Sequence, residues 1–284
     1  MLRGMSLGAV LTAIVTPFDA EGAVNEQAFV DLMQHLAGHG SDGFVVCATT
    51  GEPSTLYSAE HLRLVELACQ NRPAGTTVIA STGSNNTRHA CRMTEMCTEF
   101  GVDGILSVTP YYNKPNARGI TAHYREIAAA TDKPVILYNI PSRAAIDLPN
   151  SLLTQLAEID RVDYVKQANN DNLALIDGLG VYAGNDDLFA PVLDIGGCGG
   201  ILVSSHVAGD AMRRMVDEPE KRAEINSSLQ ELFAALFVTT NPIGVKAALN
   251  LLGHNVGGLR LPLVEADGSE LAVIRQALEN LHLL

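Results

Sequence analysis

Short apolar runs alternate with longer amphipathic stretches along most of the chain. Eight of these runs are nearly continuous in aliphatic residues, which is typical of parallel strands whose two faces are both buried. They read VLTAIVTPF, GFVVCATT, TTVIAST, GILSVTP, PVILYNI, VDYVKQA, GVYAGN and GILVSS, and they begin near Val10, Gly43, Thr76, Gly104, Pro134, Val162, Gly180 and Gly200. The pattern therefore predicts eight buried strands.

Most of the stretches between these strands have the helical period. NEQAFVDLMQHLAGHG and NTRHACRMTEMCTEFG are examples, and each ends in the glycine that favours a helix C-terminus. Eight βα units at a spacing of roughly 30 residues predict an α/β fold, a (β/α)8 TIM barrel. A doubly wound sheet is the alternative, but no GxGxxG motif follows the first strand.

The eight units are complete near residue 222, and the rest of the chain has only helical periodicity. FAALFVTTNPIGVKAALNLLG and LAVIRQALENLHLL are the two clearest segments of this remainder. We therefore expect a catalytic barrel over residues 1–222. Residues 223–284 are expected to form a small C-terminal helical appendage, packed on the barrel or on a partner subunit.

Composition narrows the functional class. The chain has 284 residues, 47% of them hydrophobic, and a formal net charge of -13, which argues against a nucleic-acid partner. The sequence contains no uninterrupted run of 18 or more apolar residues, so no membrane span is expected. The N-terminal stretch MLRGMSLGAVLTAIVTPFD lacks a small-x-small cleavage site and ends as a strand would, so no signal peptide is expected. Five scattered cysteines without a CxxC pair are typical of reduced thiols, which favours the cytoplasm.

Lys166 is the most informative single residue. It lies at the end of the apolar run VDYVKQAN, and a lysine is rarely buried because removing an ammonium from water is costly. A buried lysine that loses its proton becomes a nucleophile toward carbonyl carbon. Taken alone, the position favours a lysine that ends a strand and extends its amine to water, and only the other rim residues reverse that interpretation.

Other polar residues fall where the predicted strands end, and these ends meet at one rim of a barrel. The rim segments are TTGE at 49–52, TPYYN at 109–113, YNIPSR at 138–143, Lys166 and GND at 184–186. Together they offer an amine, phenols, hydroxyls and a guanidinium that suits a carboxylate. The segments contain no His/Cys cluster and no paired carboxylates, so we expect neither a metal site nor glycosidase chemistry.

Each rim residue also has a purely structural interpretation. Thr49 and Thr50 could simply end a strand, Tyr138 could fill the barrel, and Arg143 could be a solvated loop charge. The glycine-rich segment GGCGG at 196–200 precedes the eighth strand, so it predicts a tight turn and not a phosphate loop.

Taken together, four segments resemble a known family. TTGE at 49–52, TPYYNKP at 109–115, LYNIPSR at 137–143 and VKQA at 165–168 are similar to motifs of the dihydrodipicolinate synthase/N-acetylneuraminate lyase family of class I aldolases. The segments NPIGVK and RLPL near the C-terminus fit as well, so the resemblance spans the chain. It implies a (β/α)8 barrel, pyruvate as first substrate, no metal or organic cofactor, and a homotetramer built as a dimer of tight dimers.

The resemblance also implies roles for individual residues. Lys166 would form a Schiff base with pyruvate, while Tyr138, Thr49 and Tyr112 would form a proton relay, with Tyr112 supplied by the neighbouring subunit. Thr50 would hold the pyruvate carboxylate, and Arg143 the carboxylate of a second substrate. The backbones of Gly184 and Ile201 would line the pyruvate pocket.

Within the family, TTGE, the paired tyrosines and Arg143 favour the synthase branch, which condenses pyruvate with L-aspartate 4-semialdehyde to 4-hydroxy-tetrahydrodipicolinate in the diaminopimelate/lysine pathway. The alternatives are a pyruvate-releasing lyase or dehydratase acting on a sugar acid or other 2-oxo acid, and a non-enzymatic sensor that kept the barrel. Arg143 disfavours a lyase for a polyhydroxylated chain, and the complete lysine, tyrosine and threonine set disfavours the sensor.

Two departures from the family pattern affect the expected regulation and tuning. Gln167 replaces an acidic residue often found after the lysine, and we expect this change to tune the site weakly. In some members lysine inhibits by binding at the tight-dimer interface, and His61, Asn85 and Tyr111 match that site. Pro53, Ser58 and His89 stand where serine, histidine and glutamate are usual, so lysine inhibition is expected to be weak or absent.

Overall fold

The computed structural model describes residues 7–284, and its eight parallel strands form one closed barrel. The strands are β1 (Val10–Ala13), β2 (Gly43–Val46), β3 (Thr77–Ser81), β4 (Gly104–Val108), β5 (Val135–Asn139), β6 (Val162–Gln167), β7 (Gly180–Ala183) and β8 (Gly199–Leu202). Each begins within one residue of its predicted start. Each strand pairs with its neighbours in chain order, and β8 pairs with β1, so the predicted (β/α)8 barrel is confirmed and a doubly wound sheet is excluded.

Helices follow most of the strands. They are α1 (Glu26–Gly38), α2 (Ser58–Gln70), α3 (Thr87–Glu99), α4 (Ala117–Ala129), α5 (Pro141–Ala144), α6 (Asn150–Leu156), α7 (Phe189–Asp194), α8 (Ser205–Asp217), α9 (Arg222–Leu236), α10 (Ile243–Leu251) and α11 (Gly268–Asn280). Between β6 and β7 the chain forms only a turn of 3-10 helix, Asn170–Asn172. The last three helices pack on one another, and α9 and α10 also pack on α8, so the predicted helical character of the C-terminal part is confirmed.

The strands bury both of their faces in two separate apolar clusters. Side chains such as Ile79, Leu106 and Ile136 fill the barrel interior. Their chain neighbours, among them Val78 and Ile105, belong to the shell between the strands and the helices. This alternation explains why the strands read as continuous apolar runs in the sequence.

The glycine-rich segment lies in the turn that leads into β8, as predicted. Gly199 has a φ of +142°, and a Cβ there would collide with the carbonyl group of Ala9. The next residue, Gly200, donates its backbone N–H to Ala9 O at 2.8 Å. Only glycine allows β8 to approach β1 this closely and close the barrel.

The apolar N-terminal stretch forms β1 from Val10 onward, while residues 1–6 lie outside the described part of the chain. Among the helices of residues 7–284, none is both long and apolar enough to cross a lipid bilayer. All five cysteines are free thiols. Burial raises the pKa of Cys47 and raises that of Cys97 to about 12, so both stay protonated near neutral pH.

Candidate active site

Lys166 and Tyr138 face each other inside the barrel. They are register partners on the adjacent strands β6 and β5. The Nζ atom of Lys166 lies 4.2 Å from the centroid of the Tyr138 ring, and the two residues are only 4% and 5% exposed. A buried amine is thus in contact with a phenol, which is a suitable pair for proton exchange at a reacting carbonyl group.

The hydroxyls of Thr49 and Thr50 are presented by one turn of 3-10 helix, Thr49–Gly51, directly after β2. Thr16 supports this turn by donating its hydroxyl proton to the Gly51 carbonyl oxygen at 2.7 Å. Thr50 is 2% exposed, whereas Thr49 is half-buried and borders the cavity described next. The two hydroxyls therefore occupy fixed positions at the rim.

A cavity of about 450 Å³ opens at this rim. Its border includes the rim residues Thr49, Tyr138, Ile140, Arg143 and Asn241. The same cavity is also bordered by Pro53, His61, His89 and Tyr111. The volume suits small substrates of a few carbon atoms.

Arg143 lies in the short helix α5 and borders the same cavity, although its side chain is exposed. Its Nη2 atom donates to Thr240 Oγ1 and to the carbonyl oxygen of Asn241, both at the long distance of 3.5 Å. These weak contacts leave most of the guanidinium's donors available, so the group can receive a carboxylate in bidentate geometry.

Asn241 is a site residue that the sequence analysis missed, since it was noted only as part of the NPIGVK motif. Its Nδ2 atom donates to Thr50 Oγ1 at 3.0 Å. Its Oδ1 atom is buried and has no hydrogen-bond partner within residues 7–284. Because Asn241 lies just before α10, it brings the C-terminal helices into contact with the site. No local pattern of the sequence could reveal this contact.

Asp186 is a second polar residue without an assigned role from the sequence. Its carboxylate, which follows β7, accepts the backbone N–H groups of Ser204 at 2.8 Å and Val203 at 3.1 Å. Burial raises the pKa of Asp186, while these N–H groups and the charge of Lys166 act in the opposite direction. A buried carboxylate thus adds a negative field to the surroundings of the amine.

Gly184 and Ile201 lie beside these groups and not on the border of the cavity. Gly184 donates its N–H to Gln167 O at 2.7 Å, and a Cβ at this position would come within 2.7 Å of the Ala168 Cβ. Ile201 is fully buried on β8, in the same interior cluster as Tyr138.

Tyr112 does not join the other predicted residues within its own chain. It has a φ of +71° and is 88% exposed, and it does not border the cavity. Its neighbour Tyr111 does border the cavity. An exposed tyrosine in a left-handed conformation is projected away from the chain, which is compatible with a role in another subunit.

Gln167, the departure next to the lysine, points away from the barrel interior into an amide network. Its Oε1 atom accepts Asn139 Nδ2 at 2.9 Å and the backbone N–H of Asn169 at 3.1 Å. Asp147 accepts the side-chain amides of both asparagines, at 2.8 and 3.1 Å. This network joins the ends of β5 and β6 behind Tyr138 and Lys166.

The sequence analysis did not foresee one group of histidines. The ring centroid of His35 lies 4.1 Å from the ring centroid of His39 and 4.3 Å from that of His254. Within residues 7–284, however, no group of three or more His, Cys, Asp or Glu side chains is arranged to hold a metal ion.

Comparison with known proteins agrees with this geometry. The chain is 41% identical over 98% of its length to 4-hydroxy-tetrahydrodipicolinate synthase of Cyanothece sp. strain PCC 7425, 99% of which is covered. The solved dihydrodipicolinate synthase of Cyanidioschyzon merolae, with lysine bound, is 39% identical with a TM-score of 0.92, covering 98% of this chain and 99% of that one.

A second solved relative is the chloride-inhibited dihydrodipicolinate synthase of Acinetobacter baumannii, complexed with pyruvate. It is 32% identical to this chain, with a TM-score of 0.94. The match covers 98% of this chain and 100% of that one. The model of the dihydrodipicolinate synthetase family matches residues 6–281. The protein therefore belongs to the dihydrodipicolinate synthetase family.

Proposed function

We propose that this protein is a lyase, a 4-hydroxy-tetrahydrodipicolinate synthase that condenses pyruvate with L-aspartate 4-semialdehyde. The observation that carries the proposal is the buried amine of Lys166, 4.2 Å from the ring centroid of Tyr138 and next to a cavity bordered by Thr49 and Arg143. Relatives of that name at 41% identity support the same activity.

In the first half of the reaction, the neutral amine of Lys166 attacks the ketone carbon of pyruvate. Tyr138 delivers the proton that lets the former ketone oxygen leave as water, and an iminium forms between Nζ and the substrate carbon. The iminium withdraws electrons from the adjacent methyl group, which then loses a proton to give an enamine. The lysine itself supplies the electron sink, so this step needs no cofactor.

In the second half, the enamine carbon attacks the aldehyde carbon of L-aspartate 4-semialdehyde, and the aldehyde oxygen takes up a proton. The amino group of this second substrate then attacks the iminium carbon. This attack closes the ring, and departure of the Lys166 amine then regenerates the enzyme. Each proton released in one step can be taken up in a later step, so the reaction as a whole neither gains nor loses protons.

The remaining residues are assigned to binding and proton transfer. Thr50 holds the pyruvate carboxylate, Arg143 holds the carboxylate of the second substrate, and the backbones of Gly184 and Ile201 border the pyruvate. Thr49 links Tyr138 to Tyr112, which comes from the neighbouring subunit. The exposure of Tyr112 supports this last assignment.

Because one relay member is assigned to a second chain, the proposed active form is an oligomer. We place it as a homotetramer, a dimer of tight dimers, acting on small-molecule substrates in the cytoplasm. The free cysteines are consistent with a reducing compartment.

The test is the condensation of pyruvate with L-aspartate 4-semialdehyde, coupled to dihydrodipicolinate reductase and followed as loss of NADPH. We expect a robust rate that Lys166→Ala abolishes, together with the pyruvate adduct that borohydride traps. Lys133→Ala, at the opposite end of the barrel, is the matched control and should keep both. A trapped adduct without turnover would instead favour a sugar-acid lyase, and no adduct would favour a non-enzymatic role.

Regulation by lysine is proposed to be weak or absent. Pro53, His61 and His89 border the cavity, and burial lowers the pKa of His61 to about 4, so its ring is neutral. Position 89 therefore offers no carboxylate to the ammonium of lysine. Inhibition by sub-millimolar lysine in the coupled assay would contradict this proposal, whereas His89→Glu is expected to increase sensitivity.

A further inference from the structure

Lys246 is a second buried lysine, and the proposed reaction does not use it. It lies in α10, its side chain is 1% exposed, and its Nζ atom lies 2.6 Å from Oε1 of Glu52, whose side chain is fully buried. The same ammonium donates to Gly258 O at 2.7 Å and lies 4.2 Å from the centroid of the Phe18 ring. A fully desolvated ion pair thus joins the C-terminal helices to the barrel.

Arg260 holds the other oxygen of the same carboxylate. Its backbone N–H donates to Glu52 Oε2 at 3.2 Å. Its guanidinium forms two hydrogen bonds with Glu60, at 2.6 and 2.8 Å, and a third with Thr55 O at 2.9 Å. The guanidinium carbon is 4.5 Å from the centroid of the Phe18 ring, so this ring contacts both cations.

Glu52 is the residue that ends the catalytic turn. Its N–H donates to Thr49 O at 3.2 Å, and its φ of +54° places a non-glycine residue in the left-handed region. Such a backbone conformation persists only where its surroundings enforce it. Lys246 and Arg260 provide that enforcement, and Asn241 holds Thr50 in the same turn from the same C-terminal segment.

Stability alone is a poor reason for this arrangement. Two charges removed from water gain little over a well-packed apolar pair, but they fix the geometry of the groups they join. We propose that the Glu52–Lys246 pair is a positioning device that sets the turn carrying Thr49 and Thr50, so that the C-terminal helices belong to the catalytic apparatus. The inference rests on the proposed function, because that function places pyruvate against this turn.

The experiment compares Glu52→Gln, Lys246→Met and the double variant with the full-length wild type. Each single change leaves a buried group unpaired and should lower the melting temperature, whereas the double variant should recover it. The double variant should nevertheless need about tenfold more pyruvate for half-maximal borohydride trapping, because small misplacements of binding groups are costly. Half-saturation by L-aspartate 4-semialdehyde should change much less.

Arg72→Met is the matched control, since it breaks the Arg72–Asp103 pair away from the cavity and should leave the pyruvate dependence unchanged. If the double variant has both the stability and the pyruvate dependence of the wild type, the positioning inference is overturned but the proposed function is not. If the double variant does not fold, Glu52→Gln decides by the same comparison, since it keeps an acceptor for Arg260. A wild type that traps no pyruvate would overturn the proposed function and this inference with it.

Discussion

One hydrogen bond decides what the hydroxyl of Thr50 is able to do. Asn241 Nδ2 donates to its oxygen at 3.0 Å, so the hydroxyl proton of Thr50 stays free for another acceptor. A substrate carboxylate in the adjoining cavity is a suitable acceptor. The threonine was predicted from its place at the end of β2, but its partner lies 191 residues away and could not be predicted.

Arg143 is the residue whose substitution best distinguishes the two substrates. Its contacts of 3.5 Å hold it only loosely, and it lies in α5, whereas Lys166 lies on β6. We expect Arg143→Ala to leave the borohydride-trapped pyruvate adduct intact and to lower turnover with L-aspartate 4-semialdehyde by about 100-fold or more, the cost of losing a charged, oriented contact.

The control for this prediction is Arg275→Ala, an exposed arginine in α11 that does not border the cavity. Its turnover should match that of the wild type. Unchanged turnover in Arg143→Ala would remove the main ground for assigning this aldehyde as second substrate.

At the scale of elements, His206 in the first turn of α8 links this helix to the segment that follows β1. Its Nε2 atom accepts the backbone N–H of Val15 at 3.1 Å, and its Nδ1 atom bonds Val203 O at 2.8 Å. Protonation would place a second donor against the Val15 N–H. Burial lowers the pKa of His206 to about 4 and keeps the ring neutral, although the hydrogen bond with Val203 O acts in the opposite direction.

The pKa of His206 makes stability depend on pH in a definite direction. Because the folded-state pKa lies below the unfolded value of about 6.5, the unfolded chain takes up a proton first as the pH falls. The contribution is complete above about pH 6.5 and is lost between there and pH 4. From pH 7 to pH 5 the free energy of unfolding should fall by about 2 kcal/mol from this group alone.

Denaturant unfolding of the wild type and His206→Gln at the two pH values measures this effect. Glutamine can accept the Val15 N–H but does not titrate, so the variant should lose about 2 kcal/mol less than the wild type on acidification. An equal loss in both proteins would show that His206 does not carry the acid sensitivity.

The division of the chain at residue 222 remains a prediction, and α9 begins at that residue. The contacts that run from Asn241, Lys246 and Arg260 to the turn after β2 are long-range and buried. They argue that the C-terminal helices and the barrel fold as one cooperative unit, even though the barrel closes without them.

At the scale of the whole molecule, Tyr112 is the residue that one chain cannot explain. It is exposed on its own chain and is proposed to complete the relay of a neighbour. We therefore expect Lys166→Ala and Tyr112→Phe to be nearly inactive when pure, and to regain activity when their subunits are mixed. In a mixed dimer, one site combines an intact Lys166 with an intact Tyr112 from the other chain.

Coupled-assay rates after mild dissociation and reassociation of the mixture measure this recovery. Reassociation of each variant with itself is the control and should restore nothing. A mixture that stays as inactive as its components would place Tyr112 in its own chain's site or outside catalysis, and would remove the main reason to require an oligomer.

The sequence by itself determined the architecture and most of the rim. Strand and helix periods are local patterns, and the carboxyl ends of parallel strands necessarily share one edge of a barrel, so Thr49, Tyr138, Arg143 and Lys166 could be grouped without coordinates. Only the tertiary structure showed that Lys246 is a second buried lysine and that Asn241 contacts the catalytic turn. Those facts depend on which distant segments pack together, and burial of a charge follows from that packing and not from its neighbours in the chain.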